Sequence, residues 1–216
     1  MSRLPAAQRR EQLLDSAETL FARHGYVRAT TAELARAAGV TEPIIYRHFD
    51  SKKDLFISLI ERTAQRTIHQ WEQQLAHAAD PVERLRRLLY ENPMVRTHGR
   101  SAYRVIVQAV TETADAQIQA ALAKHIDELH TFVKGEIERA QRDVKGLAKY
   151  SADMVAWVLI HLALGYGLLS VMGIPGHGVG RDSIGASVRE SLARLLGVAP
   201  PSTPRPDPEP PLNGEV

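Results

Sequence analysis

Apolar residues recur along most of this sequence at spacings of three and four, and no stretch sustains the alternation of an exposed strand. This periodicity predicts an all-α protein. In the first predicted helix, one apolar stripe is drawn by Leu13, Leu14, Ala17, Leu20 and Phe21. The pair His24-Gly25 then predicts the end of that helix, because glycine tolerates the backbone turn that follows a helix.

Three helix starts are predicted within about 22 residues, between Thr30 and Ser51. Thr30 and Glu33 have the spacing of a capping box, and Gly39 ends the short helix that follows. Thr41 is predicted to cap a second short helix, which runs from Glu42 to about Phe49. Ser51 is predicted to cap a third helix, with Asp54 as its acidic partner.

Longer helices are predicted over most of the remaining chain, at residues 52–78, 103–113, 115–142, 154–174 and 182–196. Asp80-Pro81 predicts a further helix start between the first two of them. Seven of the twelve prolines lie between Pro200 and Pro211. This composition predicts a disordered tail over 198–216, with a ligand for a proline-binding partner as the alternative. The predicted domains are 1–52, 53–197 and this tail.

Composition and charge add three expectations to this all-helical pattern. The 216 residues include no cysteine, which excludes disulfides and thiolate metal sites. The net charge is +2, yet the chain through Arg66 holds 11 Lys and Arg against 8 Asp and Glu, so a polyanion is expected to meet this first part. The start of the chain shows no apolar signal segment, and a cytoplasmic location is expected.

Residues 30–49 have the pattern of a helix-turn-helix, in which the second helix enters the major groove of DNA. Ile45 and Phe49 lie four apart and are predicted to be buried, which turns the other side chains of that helix outward. Candidate phosphate contacts are Thr31, Tyr46, His48 and Lys52. Pro43 and Ile44 are predicted to meet thymine methyl groups and Glu42 a cytosine amino group. The alternative is a solvated helical hairpin without a ligand.

The first 56 residues resemble the DNA-binding segment of the TetR family of bacterial transcriptional regulators. The resemblance rests on Phe21, Gly25, Thr30-Thr31, Leu34-Ala35, Ala38-Gly39-Val40, Tyr46, Phe49, Lys52 and Leu55. It implies that Thr31, Tyr46, His48 and Lys52 contact phosphates. It also implies that sequence is read by Thr41, Glu42, Pro43 and Ile44, although an acidic residue at position 42 departs slightly from what phosphates favour.

The resemblance further implies a homodimer whose last two long helices pair as a four-helix bundle. Residues 154–174 fit this role, because they are apolar nearly all round, and residues 182–196 bring a second apolar face. A membrane-spanning helix over 154–174 is the alternative. His161 and Ser170 would then be polar groups at membrane depth, which favours the dimer.

An effector pocket between the middle helices is also implied by the resemblance. Candidate lining residues, for which an ordinary core or surface role is the alternative, are Tyr103, Val107, Gln108, Thr111, His130, Trp157 and His161. They mix apolar walls with a few polar groups, as ligand sites do, and they favour an apolar or amphipathic molecule.

No catalytic or cofactor signature accompanies these features. His125 and His130 are five residues apart, so they do not share a helical face, and no metal site is predicted. Gly165-Tyr166-Gly167 lies in an apolar helix, which excludes a dinucleotide-binding turn. The sequence therefore predicts a ligand-responsive regulator, not an enzyme, that represses transcription from a palindromic operator and uses no cofactor.

Overall fold

The computed structural model describes residues 4–90, 100–145, 147–175 and 184–198. Every regular element in these residues is helical, which confirms the all-α prediction. The α-helices are α1 (Ala6–His24), α2 (Thr31–Ala38), α3 (Glu42–Tyr46), α4 (Lys52–Leu75), α5 (Pro81–Tyr90), α6 (Arg100–Thr111), α7 (Ala116–Ala140), α8 (Ala152–Val171) and α9 (Ile184–Leu195). A 3-10 turn, Leu147–Lys149, lies between α7 and α8. The predicted tail, apart from Val198, lies outside the described residues.

Three predicted helices, α3, α4 and α8, extend three residues too far, and α8 ends at Val171 instead of at 174. Helix α3 stops at Tyr46, because the amides of His48 and Phe49 both donate to the carbonyl oxygen of Ile45, which closes the helix into a turn. Helix α4 ends at Leu75, three residues before the predicted end. Helix ends depend on individual backbone hydrogen bonds, which periodicity does not report.

The chain divides into two compact units, and their limits differ from the predicted domain limits. The first unit combines residues 1–70 with 97–132, and the second combines 71–96 with 133–216. In the first unit, α6 and the start of α7 contribute Val105, Ile106 and Ile118 to the same buried cluster as α1–α4. The DNA-reading helices therefore share a core with helices that lie much later in the sequence.

Helix α5 and the second part of α7 are joined in the second unit by an ion pair. Arg84 donates to the Glu136 carboxylate through two nitrogens, Nε at 2.7 Å and Nη2 at 2.8 Å. Glu136 is almost fully buried and also accepts from Arg139. The hydrogen bond with Glu136 raises the pKa of Arg84 above its ordinary value.

Helix α8 carries an exposed apolar face. The exposed positions on α8 include Met154, Val158, His161, Gly165 and Leu168, and Met172 directly after the helix continues their spacing of four and three. The segment Ala152–Leu169 is also long and apolar enough to cross a membrane, with a mean hydropathy of 1.6 and only 22% of its residues buried. Length and composition alone do not separate a membrane span from a surface that another subunit covers.

Candidate nucleic-acid interface

The first helix of the predicted helix-turn-helix begins with the expected capping box. The amide of Glu33 donates to the Thr30 hydroxyl oxygen at 3.2 Å, and the Glu33 carboxylate accepts from the amide of Thr30 at 2.9 Å. These two bonds satisfy amides that a helix start otherwise leaves without partners. The hydrogen bonds with Thr30 also lower the pKa of Glu33.

The turn between α2 and α3 depends on Gly39. Its φ is 64°, in the left-handed region that glycine enters without steric cost, as predicted. The amide of Val40 donates to the carbonyl oxygen of Ala35 at 2.9 Å and closes the turn. The Gln12 side chain donates to the carbonyl oxygen of Ala38 at 3.1 Å, so α1 also holds the end of α2.

Helix α3 is anchored from behind by two buried side chains. Ile45 and Phe49 are buried in one cluster with Leu34 and residues of α1, which confirms the predicted inner face. On the outer side, Pro43 is exposed, and Tyr46 exposes 51% of its surface. The outer side of α3 is thus accessible from solvent, as the DNA-reading helix of this motif has to be.

The remaining predicted contacts on and beside α3 are less exposed. Ile44, His48 and Glu42 are half-buried, and Thr41 is exposed. Thr41 occupies the N-cap position with an extended backbone, but its side chain makes no capping hydrogen bond, so that part of the prediction is wrong. Its hydroxyl is therefore not committed to capping α3.

Three of the predicted DNA-contacting residues also contact one another. The Thr31 hydroxyl donates to the Glu42 carboxylate at 2.9 Å and lies 3.3 Å from the Tyr46 hydroxyl. Because the single hydroxyl proton of Thr31 is donated to Glu42, Tyr46 is the donor in the bond between the two hydroxyls, and its proton turns to a phosphate only when that 3.3 Å bond is given up. Glu42 thereby holds both hydroxyls on the exposed side of the motif.

Lys52 donates to backbone carbonyl oxygens that the sequence did not predict as its partners. Its ammonium nitrogen is 3.0, 3.2 and 3.0 Å from the carbonyl oxygens of Tyr26, Val27 and Ala29. The same nitrogen lies 4.8 Å from the centre of the Tyr26 ring. The sequence identified Lys52 as a cation beside DNA, but carried no signal for these acceptors.

Two cations near the motif were left out of the predicted set. Arg28 in the loop before α2 and Arg47 directly after α3 are both exposed, and the described residues include no ion pair to either. Their positions flank the exposed surface of α2 and α3. The local excess of positive charge was the available signal for them.

The predicted effector residues fall into both units. Tyr103, Val107, Gln108, Thr111 and His130 belong to the first unit, whereas Trp157 and His161 belong to the second and stack on an exposed part of α8. Tyr103 and His130 are buried, and Thr111 is exposed. The lining of a pocket by these residues stays a prediction.

Gln108 has a different set of contacts from those expected of a pocket residue. Its amide nitrogen donates to the carbonyl oxygen of Phe21 at 2.8 Å, and its amide oxygen accepts from the amide of Tyr26 at 2.9 Å. Both partners lie at the C-terminal end of α1. The polar group of Gln108 thus fastens α6 to the DNA-reading helices and is already satisfied without a ligand.

Residues 13–59 match the family model described as bacterial regulatory proteins, tetR family. The chain is 31% identical over 165 residues to the HTH-type transcriptional activator FasR of Mycolicibacterium smegmatis, which covers 73% of this chain and 75% of that protein. The chain belongs to the TetR family. It is therefore a transcriptional regulator with a helix-turn-helix DNA-binding motif, and its family is one of regulators, not of enzymes.

Solved structures of TetR-like fold agree with this assignment. A regulator from Saccharomonospora viridis in complex with choline is 25% identical, with a TM-score of 0.72 over 88% of this chain and 96% of that one. FadR of Bacillus subtilis in complex with stearoyl-CoA is 17% identical, with a TM-score of 0.71 over 86% and 98%. The second likeness shows a common fold alone.

Proposed function

We propose that this TetR-family regulator binds a palindromic operator as a homodimer, and that a small molecule releases it from DNA. The observation that carries the proposal is the surface formed by the half-buried Thr31 and the exposed Pro43 and Tyr46, which the buried Ile45 and Phe49 fix from behind. Two such surfaces related by a twofold axis would enter successive major grooves about 34–36 Å apart.

Within this surface the predicted residues take two roles. Thr31, Tyr46 and His48 contact phosphates and set the register, whereas Thr41, Glu42, Pro43 and Ile44 face base edges. The contact between Glu42 and Thr31 supports this division, because it keeps the Glu42 carboxylate beside a hydroxyl donor when no base amino group is present. An acidic residue on this surface favours sites that offer an amino group and disfavours others.

The DNA-binding roles are tested by selecting bound duplexes from a random pool, followed by measurements on variants. We expect a palindrome to be recovered and its affinity to fall steeply with salt. Tyr46→Ala is expected to weaken binding to all sequences by about tenfold or more, because each dimer loses two phosphate contacts. Ile44→Ala is expected to change the preferred bases instead.

The control for these variants is Tyr150→Ala, which removes another exposed tyrosine far along the chain and is expected to leave DNA binding unchanged. Equal affinity of Tyr46→Ala and wild type for the recovered duplex would contradict the phosphate role. Recovery of no preferred sequence would contradict the operator.

The proposed dimer uses α8 and α9, within the predicted segments 154–174 and 182–196. Met154, Val158, Leu168 and Met172 are exposed apolar side chains at coiled-coil spacing, and Leu195 on α9 exposes 65% of its surface. Exposed apolar area of this extent is unusual on a monomer and is buried when a copy packs against it. Gly165 lies in the middle of the α8 positions, where a small residue lets two helices approach closely.

Gly165→Arg is expected to convert the dimer to a monomer and to lose the palindromic operator. A Cβ at Gly165 would meet no atom within 4 Å of its own chain, so the isolated fold tolerates the side chain while a close partner helix does not. Sedimentation without detergent measures the change. Gly135→Arg is the matched control, because Gly135 is also helical and open, and it is expected to remain dimeric.

Two results of this experiment would contradict the proposed dimer. A Gly165→Arg protein that sediments as the wild type does would remove α8 from the interface. A wild-type protein that fractionates with lipid and needs detergent would favour the membrane span, whose length and composition α8 also has.

The effector, the sign of regulation and the location complete the proposal. An apolar or amphipathic effector would favour a conformer of the dimer whose two helix-turn-helix motifs have the wrong spacing for the operator. The size of the effect is set by the difference in effector affinity between the two conformers. The choline complex of the S. viridis regulator supports a small-molecule role of this fold, so choline and stearoyl-CoA are suitable first probes for release of the selected duplex. A cytoplasmic repressor is proposed, although FasR is named an activator, and a reporter gene under the operator decides the sign.

A further inference from the structure

The loop between α1 and α2 turns three carbonyl oxygens toward one ammonium group. Lys52, in the first turn of α4, lies within 3.2 Å of the carbonyl oxygens of Tyr26, Val27 and Ala29. An ammonium group has three hydrogens, so these three acceptors use its full donor capacity. The loop leads directly into Thr30, the cap of α2.

Other contacts of Tyr26 hold the same loop. The Tyr26 ring stacks on that of Phe56 with ring centres 4.1 Å apart, and the backbone amide of Tyr26 donates to the side-chain oxygen of Gln108 at 2.9 Å. The Lys52 ammonium adds a cation–π contact to this ring. Lys52 therefore connects α4, the loop and, through Tyr26, the anchor from α6.

We propose that Lys52 is a positioning residue that clamps residues 25–29 and so fixes the entry of α2, instead of a ligand of DNA phosphate. A phosphate contact would require the ammonium to leave carbonyl oxygens that have no other donor supplied by a side chain in the described residues. Moving the ammonium to a phosphate would leave these three carbonyl oxygens without their charge-assisted donor, which costs free energy that the phosphate contact has to offset. The consequence for operator binding rests on the proposed function, whereas the clamp is a property of the DNA-free protein.

Hydrogen exchange of the DNA-free protein tests the clamp. Four amides in and beside the loop have acceptors and report on it, those of Gly25, Tyr26, Ala29 and Thr30. In Lys52→Met, which keeps the aliphatic stem and removes the charge, we expect them to exchange at least about tenfold faster. A phosphate ligand has no role without DNA, so unchanged exchange at these amides would overturn the proposal.

Lys53→Met is the matched control. Lys53 is the next residue, carries the same charge and donates to Asp115 at 3.0 Å instead of to the loop. Its loss is expected to leave the four amides unchanged. Equal acceleration in both variants would overturn the proposal, because it would reflect a general loosening of α4.

Operator binding provides the second readout. If Lys52 positions α2, Lys52→Met lowers affinity for the operator more than for unrelated DNA, while the salt dependence of binding matches that of Lys53→Met. A phosphate ligand weakens binding to all sequences alike and lowers the salt slope, by about two for a dimer with two such contacts. A slope reduced by that amount relative to Lys53→Met would overturn the proposal.

A measurement on the wild-type protein covers the case in which Lys52→Met fails to fold. Limited labelling of lysine amines in the absence of DNA, read by mass spectrometry, is expected to modify Lys52 at least about tenfold more slowly than Lys53, because Lys52 must first leave its three acceptors. Similar labelling rates at the two lysines would overturn the clamp. This result is independent of whether the protein binds any operator.

Discussion

Replacing Arg62 by methionine is expected to lower the free energy of unfolding by about 3 kcal/mol. Arg62 lies on α4 and is only 7% exposed. Its guanidinium donates to Asp15 at 2.8 Å, to Glu18 at 3.1 Å and to Glu11 at 3.2 Å, all on α1. Methionine keeps the apolar stem and leaves three carboxylates facing one another.

The expected cost lies at the low end for a broken buried ion pair, because two of the carboxylates can turn to water. The side chains of Glu11 and Asp15 are 54% and 59% exposed, whereas that of Glu18 is 18% exposed. Glu18 thus bears most of the penalty of a buried charge without its partner. Since α1 also holds the end of α2 through Gln12, operator affinity is expected to fall together with stability.

Arg66→Met is the control for this prediction. Arg66 contacts the same three carboxylates, at 3.1 to 3.8 Å, but is 47% exposed, so its loss is expected to cost less than about 1 kcal/mol. Urea denaturation at fixed protein concentration measures both variants, which keeps any contribution of dimer dissociation comparable. Equal losses in Arg62→Met and Arg66→Met would show that burial of Arg62 does not matter.

Local signals allowed the sequence to predict the DNA-reading motif in detail. The capping box of Thr30 and Glu33, the left-handed Gly39 and the inner face of Ile45 and Phe49 each depend on residues within four positions of one another. Spacing is enough to predict such features, because the helix geometry that connects the residues is fixed. The family assignment follows from the same stretch.

Contacts between residues far apart in the chain could not be predicted from the sequence. Lys52 meets carbonyl oxygens 23 to 26 residues away, and Gln108 meets backbone groups of α1 and of the loop after it, 87 and 82 residues away. Both side chains were assigned to ligands, because a polar residue without a local partner looks available for one. The folded chain satisfies polar groups with whatever backbone comes near, which a single sequence does not report.

The division into units shows the same limit. Residues 53–197 read as a separate domain because helix periodicity identifies helices but not their neighbours. In the structure, Val105 and Ile106 of α6 belong to the same buried cluster as the helix-turn-helix motif. A ligand that displaces α6 would act on this shared core directly, which supports the proposed coupling of effector and DNA binding.

Acidification from pH 7 to pH 5.5 is expected to lower the free energy of unfolding by about 1 kcal/mol through His125 alone. This side chain, on α7, is 1% exposed, and neither ring nitrogen has a hydrogen-bond partner of normal geometry. Burial lowers the pKa of His125 to about 4, opposed by a weaker interaction with the backbone of Ile60. The imidazole is therefore neutral in the folded protein at every pH well above 4.

The sign of the effect follows from the two protonation states. Below the ordinary histidine pKa of about 6.5, the unfolded chain binds a proton at His125 and the folded chain does not. The free energy of unfolding therefore decreases as the pH is lowered, until the folded pKa of about 4 is reached. The full difference corresponds to about 3 kcal/mol. The carboxylates whose pKa is lowered, Glu33, Glu83 and Asp115, lose their contribution to stability only as pH falls below their unfolded pKa, so they do not contribute between pH 7 and 5.5. The comparison with a variant at position 125 assigns the remaining effect to His125.

His125→Leu is expected to remove this pH dependence and to be at least as stable as the wild type at pH 7, because leucine fills a similar volume without buried polar nitrogens. His77→Leu, a change at an exposed histidine, is expected to retain the wild-type dependence. Urea denaturation of the three proteins at pH 7 and 5.5 measures the differences. If His125→Leu and wild type lost the same stability on acidification, the imidazole would have to be hydrated or paired in solution, and the burial of His125 beside the backbone of Ile60 would be contradicted.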